Sequence, residues 1–135
     1  MRWIVKSDPE TFSIDDLAKS KGKTTSWDGV RNYQARNYLR AMKLGEKALF
    51  YHSSADPPGV VGIVEVAKEA YPEAKAPDWS AVDFKLVKKL ARTISIDELR
   101  EAKGLEKLLI LRRGSRLSVT PVSDDEYDRI LALAQ

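Results

Sequence analysis

Apolar and polar positions change period several times along the chain, and each change marks an element. Trp3-Ile4-Val5 is a short β-branched and aromatic run closed by Asp8-Pro9, which predicts a buried first strand. Ser13-Ile14-Asp15-Asp16 reads as an N-cap with an acidic first turn and opens a short helix to about Lys19. A second helix is predicted from about Asn32 to Lys43. Ala35, Tyr38, Leu39 and Met42 fall at i, i+3, i+4 and i+7 and share one face, while Arg36, Arg40 and Lys43 share another flank. Gly45 stands where a C-terminal cap belongs.

Two strands follow, Ala48-Leu49-Phe50-Tyr51-His52 and Val60-Val61-Gly62-Ile63-Val64-Glu65-Val66, separated by a loop that Pro57 and Pro58 stiffen. Residues 71 to 80 carry two more prolines and read as an irregular surface excursion, and Val82 to Val87 reads as another strand. Capping boxes at Ser95-Ile96-Asp97-Glu98 and Ser123-Asp124-Asp125-Glu126 open two further helices, the last presenting Tyr127, Ile130, Leu131 and Ala134 on one face. Leu117 to Val122 alternates as a strand and is expected to complete the sheet. Strands and helices mix without regular βαβ alternation. The pattern therefore predicts one α+β domain over residues 1–135, with a strongly bent sheet or small barrel rather than a doubly wound fold.

Composition narrows the field. A chain of 135 residues that is 43% hydrophobic can bury one core, and the absence of cysteine excludes disulfides, thiolate chemistry and Cys-ligated zinc. Lys6, Asp8 and Glu10 interrupt the apolar start at once, unlike a signal or transit peptide, and no stretch approaches the roughly 18 apolar residues of a membrane span. These features predict a protein of the cell interior, cytoplasmic in a bacterium and nuclear in a eukaryote, with no membrane partner and a monomer as the default. The formal net charge of +3 is too small to imply nucleic acid by itself. Arrangement matters more than the sum.

Enzyme templates find little to rest on. His52 is the only histidine, so no multi-histidine metal site can be built, and it reads first as a hydrogen-bonded strand-end residue. No serine sits in a Gly-x-Ser-x-Gly elbow, and neither glycine-rich phosphate loop is present. The carboxylate pairs Asp15-Asp16 and Asp124-Asp125 fall in helix first turns, where the macrodipole accounts for them. The polar-aromatic clusters say more. Ser26-Trp27-Asp28-Gly29-Val30-Arg31-Asn32-Tyr33 gathers an indole, a guanidinium, an amide and a phenol into one segment. Aromatic faces stack on bases, amides pair with base edges and guanidinium binds phosphate. Equally, Trp27 could be core and Arg31 a solvated helix-start residue. Phe50-Tyr51-His52-Ser53-Ser54 is a second cluster, Arg112-Arg113-Gly114-Ser115-Arg116 a third, and Lys85, Lys88, Lys89 and Arg92 form a basic run.

These clusters resemble the EVE domain family. The resemblance is carried by Trp3-Ile4-Val5-Lys6-Ser7-Asp8-Pro9, by the long stretch from Trp27 to Asn37, and by Phe50-Tyr51-His52-Ser53. It continues through Asp56-Pro57-Pro58-Gly59 and Arg112 to Val119, in the family's order and over nearly the whole chain. It implies a PUA-like fold, a curved mixed β-sheet closing toward a small barrel and surrounded by helices. It also implies kinship with YTH domains and a non-catalytic role as reader of a modified base, foremost a 5-modified cytosine in DNA. On that resemblance Trp27 is the aromatic that stacks on the base, and Lys6, Ser7, Asn32, Tyr33, Tyr51, His52 and Ser53 belong to the base pocket. Arg31, Arg113, Ser115 and Arg116 are the phosphate and sugar contacts. No cofactor or metal is implied. The alternatives are an RNA-binding PUA-like module and an ASCH-like hydrolase of a modified nucleoside using Lys6 or Glu65. Replacing Trp27 with Ala is expected to remove base preference and leave the chain folded.

Overall fold

The computed structural model describes residues 1–112 and 117–134. Six strands form one mixed sheet: β1 (Arg2–Ser7), β2 (Thr24–Trp27), β3 (Lys47–His52), β4 (Gly59–Glu73), β5 (Ala76–Ser95) and β6 (Val119–Val122). Their order across the sheet is β2-β5-β4-β3-β1-β6; β1 runs parallel to β3 and every other pairing is antiparallel. The helices are α1 (Ile14–Lys19), α2 (Tyr33–Ala41), α3 (Ile96–Glu101) and α4 (Asp124–Ala132).

The helix starts follow local chemistry. Ser13, Ser95 and Ser123 each accept a hydrogen bond from the backbone three residues on, and Asp16, Glu98 and Glu126 each accept one from the backbone amide of the cap residue. Asn32 caps α2 through its side chain, and Ala35, Leu39 and Met42 are buried as the helical period requires. Gly45 does not cap α2. The helix ends at Met42 in an extended conformation, and Gly45 turns the chain later, at φ +84°, with its N–H on the carbonyl of Val66.

Both faces of the central strands are buried, which explains why β1 and β3 are nearly continuous apolar runs. Trp3, Val5, Ala48 and Phe50 point into one core with α1 and α2; Ile4, Leu49 and Tyr51 point into a second with α3 and α4. Gly62 on β4 lets α1 approach, because a side-chain carbon there would collide with Ile14.

The sheet is curved and open. Register shifts interrupt β4–β5 repeatedly and β3–β4 once, between Phe50 and Tyr51, and such irregularities bend a strand pair. In a flat sheet β2 and β3 would lie three strand spacings apart, about 14 Å. Yet the rings of Trp27 on β2 and Phe50 on β3 are 5.6 Å apart. The sheet thus curls until one edge folds over its middle, but among the described residues β2 and β6 do not pair and the barrel stays unclosed. The expected excursion at residues 71 to 80 is instead the far end of a long hairpin, with Tyr71, Pro72 and Glu73 on β4 pairing with Ala81, Ser80 and Ala76 on β5.

Candidate nucleic-acid interface

The curl leaves an open cavity of about 600 Å³ where the end of β1, the end of β2 and the lead-in to α2 meet. Lys6, Ser7, Trp27, Arg31 and Asn32, five of the residues singled out in the sequence, all line it. The turn after β1 supplies Asp8 and Phe12, and Asp28 follows Trp27 on the wall.

The frame of this cavity is fixed by the backbone. Ser7 donates its hydroxyl to the carbonyl of Phe12 at 2.6 Å, and the Asp8 carbonyl accepts from the amides of Thr11 and Phe12, both at 2.9 Å. The hydroxyl that could have met a ligand therefore holds the turn onto β1. Lys6 extends the sheet by donating its amide to the Ser118 carbonyl at 2.8 Å. Partial burial pushes its ammonium below the usual lysine range, since desolvation disfavours the charged form.

Trp27 is core and wall at once. It is only 9% exposed and meets Phe50 and Phe84 edge to face, each at 5.6 Å, so its plane is locked before any ligand arrives. Asn32 spends its Oδ1 on the Ala35 amide at 3.0 Å, which leaves its Nδ2 as the group able to read a base edge. Arg31 is not a lone cation. Its guanidinium grips both carboxylate oxygens of Glu73 at 2.8 and 2.9 Å, and Glu73 also accepts from the Gly29 amide at 3.1 Å. The pairing raises the Arg31 pKa and lowers that of Glu73.

Several expected pocket residues lie elsewhere. Strand alternation turns Tyr51 away from Phe50 and into the second core, where it is 3% exposed. His52 shares the Phe50 face, but its Nε2 accepts the Ile14 amide at the start of α1 at 3.0 Å. Burial lowers its pKa, in keeping with a neutral acceptor. Ser53 continues the strand pairing through its amide to the Ser7 carbonyl and does not line the cavity. Tyr33 begins α2 outside the cavity, 66% exposed and stacked on Trp79. Arg113, Ser115 and Arg116 lie outside the described residues.

Other expectations are redistributed. The basic run on β5 is partly spent on ion pairs, Lys89 with Asp15 at 2.5 Å and Arg92 with Glu98 at 2.9 Å. Glu65 is bound by Lys47 at 2.8 Å across β3 and β4, outside the cavity, so it does not converge with Lys6 as a catalytic pair. The sequence reading missed the β4–β5 hairpin as part of the site. From it Glu73 restrains Arg31, Trp79 supports Tyr33, and the Tyr71 hydroxyl bridges Asp83 and the Ser26 hydroxyl. Residues 71 to 80 carry little strand signal, since Pro72 and Pro77 interrupt both arms of the hairpin.

The EVE domain family model matches residues 1–133. Human thymocyte nuclear protein 1 is 39% identical in an alignment covering 98% of this chain and 73% of the relative. A Pseudomonas putida protein of known structure superposes with a TM-score of 0.93 at 38% identity, both chains covered in full. Human THYN1, solved in complex with DNA containing 5-methylcytosine, gives a TM-score of 0.90 at 40% identity over 99% of this chain and 97% of that one. An ASCH protein from Zymomonas mobilis, at 14% identity and a TM-score of 0.59, shares the fold alone. Matching in sequence and in three dimensions over almost its entire length, the chain belongs to the EVE domain family.

Proposed function

We propose that this chain is a non-catalytic reader that takes a 5-modified cytosine of DNA into the cavity walled by Trp27. One observation carries the reading: an indole locked by Phe50 and Phe84 lines a preformed cavity, in a chain 40% identical to human THYN1, which was solved with 5-methylcytosine DNA.

The energetics suit a reader of limited selectivity. Extruding a base costs a few kcal/mol, and stacking on an aromatic returns about 1–3 kcal/mol. Because Trp27 is already locked, little ordering entropy opposes that contact. A buried methyl adds about 0.8 kcal/mol, about fourfold in affinity. Choice among bases falls to polar groups. The carboxylates of Asp8 and Asp28 can accept from the exocyclic amine of cytosine, a donor that thymine lacks, and Asn32 Nδ2 and the Lys6 ammonium can donate to its ring acceptors. Among the described residues no serine or threonine hydroxyl of the cavity is hydrogen-bonded to Lys6, Asp8 or Asp28, which favours binding over hydrolysis.

The test is a titration of oligonucleotides that differ only at one central base: cytosine, 5-methylcytosine, 5-hydroxymethylcytosine or N6-methyladenine, with matched RNA, at one salt concentration. The reading expects a 5-modified cytosine in DNA to bind best, by about fourfold or more. Equal affinity for all oligonucleotides would reject it, and a preference for RNA would transfer the cavity to the other polymer.

A further inference from the structure

Beside the cavity lies a surface of different chemistry. Tyr33 is 66% exposed, and its ring stacks on Trp79 with centroids 5.0 Å apart and planes 23° from parallel. The Arg36 guanidinium is 4.9 Å from the Tyr33 ring and 5.7 Å from the Trp79 ring. The second distance is far below the sum of the other two, so Arg36 sits beside the stack and not across its outer face. The outward face of Tyr33 stays open. On the cavity side, Arg31 lies 5.3 Å from the same Trp79 ring. One continuous strip therefore runs from the cavity wall over Trp79 and Tyr33 to Arg36.

Charge along the strip is unevenly compensated. Arg31 is neutralised by Glu73. Arg36 and Arg40 instead share the Asp78 carbonyl, each at 3.1 Å, and Arg40 adds the Ser80 hydroxyl at 2.9 Å. Among the described residues neither has a carboxylate partner. The carbonyl holds both guanidinium groups in place without cancelling their charge. A held aromatic with an open face beside fixed cations is the arrangement on which a base stacks while its phosphates are bound.

We propose that this strip binds the strand flanking the base held in the cavity, with a neighbouring base on Tyr33 and phosphates at Arg36 and Arg40. The proposal rests on the cavity reading for the position of the strand, and the structural role of the two arginines at Asp78 does not supply the length dependence it requires.

The experiment uses the full chain with two ligands of unequal length, single-stranded DNA of twelve nucleotides carrying one central cytosine or 5-methylcytosine, and the single nucleotide deoxycytidine monophosphate or its 5-methyl form, which has no neighbouring base, each titrated over a range of salt. Thermal unfolding of every variant is recorded alongside. Tyr33→Ala is expected to weaken the twelve-nucleotide strand at least about fivefold and leave the single nucleotide unchanged, while Tyr33→Phe restores the parent value. Arg36→Ala with Arg40→Ala is expected to lower the salt slope for the strand by about 1.4, two contacts of about 0.7 each. Folded variants that bind the strand like the parent, or lose equally on both ligands, overturn the strip. A parent that binds the strand without preference for the methylated base overturns the cavity reading, and selective loss on that strand in the variants then still supports the strip.

Discussion

Replacing Trp27 first with Ala and then with Phe separates its two roles. The indole is 9% exposed and wedged edge to face against Phe50 and Phe84, so Trp27→Ala opens a void between β2, β3 and β5. Core substitutions of this size cost about 3–5 kcal/mol. A domain of this length holds only about 7–20 kcal/mol in total. The melting temperature should therefore fall by roughly 12–20 °C, which leaves the alanine variant folded but destabilised. Its loss of binding would then confound packing with recognition. Trp27→Phe keeps an aromatic at the contact and should cost about 1–2 kcal/mol. Folded at room temperature, it should still bind the methylated oligonucleotide more weakly, since a smaller ring stacks over less area. The assay pairs a thermal melt with an anisotropy titration on the same samples. An alanine variant that melts within about 3 °C of the parent would refute the packing argument. A phenylalanine variant of unchanged affinity would remove the indole from the binding account.

Three further outcomes can be checked directly. Glu73→Gln releases the Arg31 guanidinium, so affinity for unmodified duplex should rise and the salt slope steepen by about 0.9; an unchanged slope means that Arg31 does not reach phosphate. Asp28→Asn should reduce the preference for 5-methylcytosine over thymine by about fivefold or more, as expected for one lost charged acceptor, and a ratio equal to the parent's would clear Asp28 of that role. The folded pKa of His52 lies below its unfolded value near 6.5, so the unfolded chain binds the proton first as pH falls. Stability should decline from about pH 7 toward pH 5, before the carboxylates titrate, and His52→Gln, which keeps an acceptor for Ile14, should flatten that decline in melts across the range.

What could be read in the sequence was mostly local. Helix starts depend on residues three apart, so Ser13, Ser95 and Ser123 were visible as caps, while Asn32 was placed at the start of α2 without its capping role, and the buried face of α2 followed from its period. The end of α2 was less visible, because Met42 closes it without glycine. On β3, a cluster of polar and aromatic residues drew attention as one unit, but a strand deals its side chains alternately to two faces. Tyr51 and His52 were thereby sent to separate environments. The hairpin beyond Val66 was hidden because charged residues and two prolines, Pro72 and Pro77, break up the pattern of its strands. Phe84 is a diagonal neighbour of Trp27 across the β2–β5 ladder, but the approach of Trp27 to Phe50 arises only when the sheet curls, a long-range event with no signature at residues 24 to 32. That curl makes the cavity, which is why individual wall residues could be named while the Arg31–Glu73 pairing could not.

The central claim, that the base lies against Trp27, is tested most directly by proton–nitrogen correlation spectra of the labelled chain during titration with a methylated oligonucleotide, the indole signal being assigned with Trp27→Phe. The account predicts that the Trp27 indole Nε1–H and the amides of residues 6–8 and 26–32 shift most, and shift further with 5-methylcytosine than with cytosine. An indole signal that stays in place while shifts gather elsewhere would contradict it.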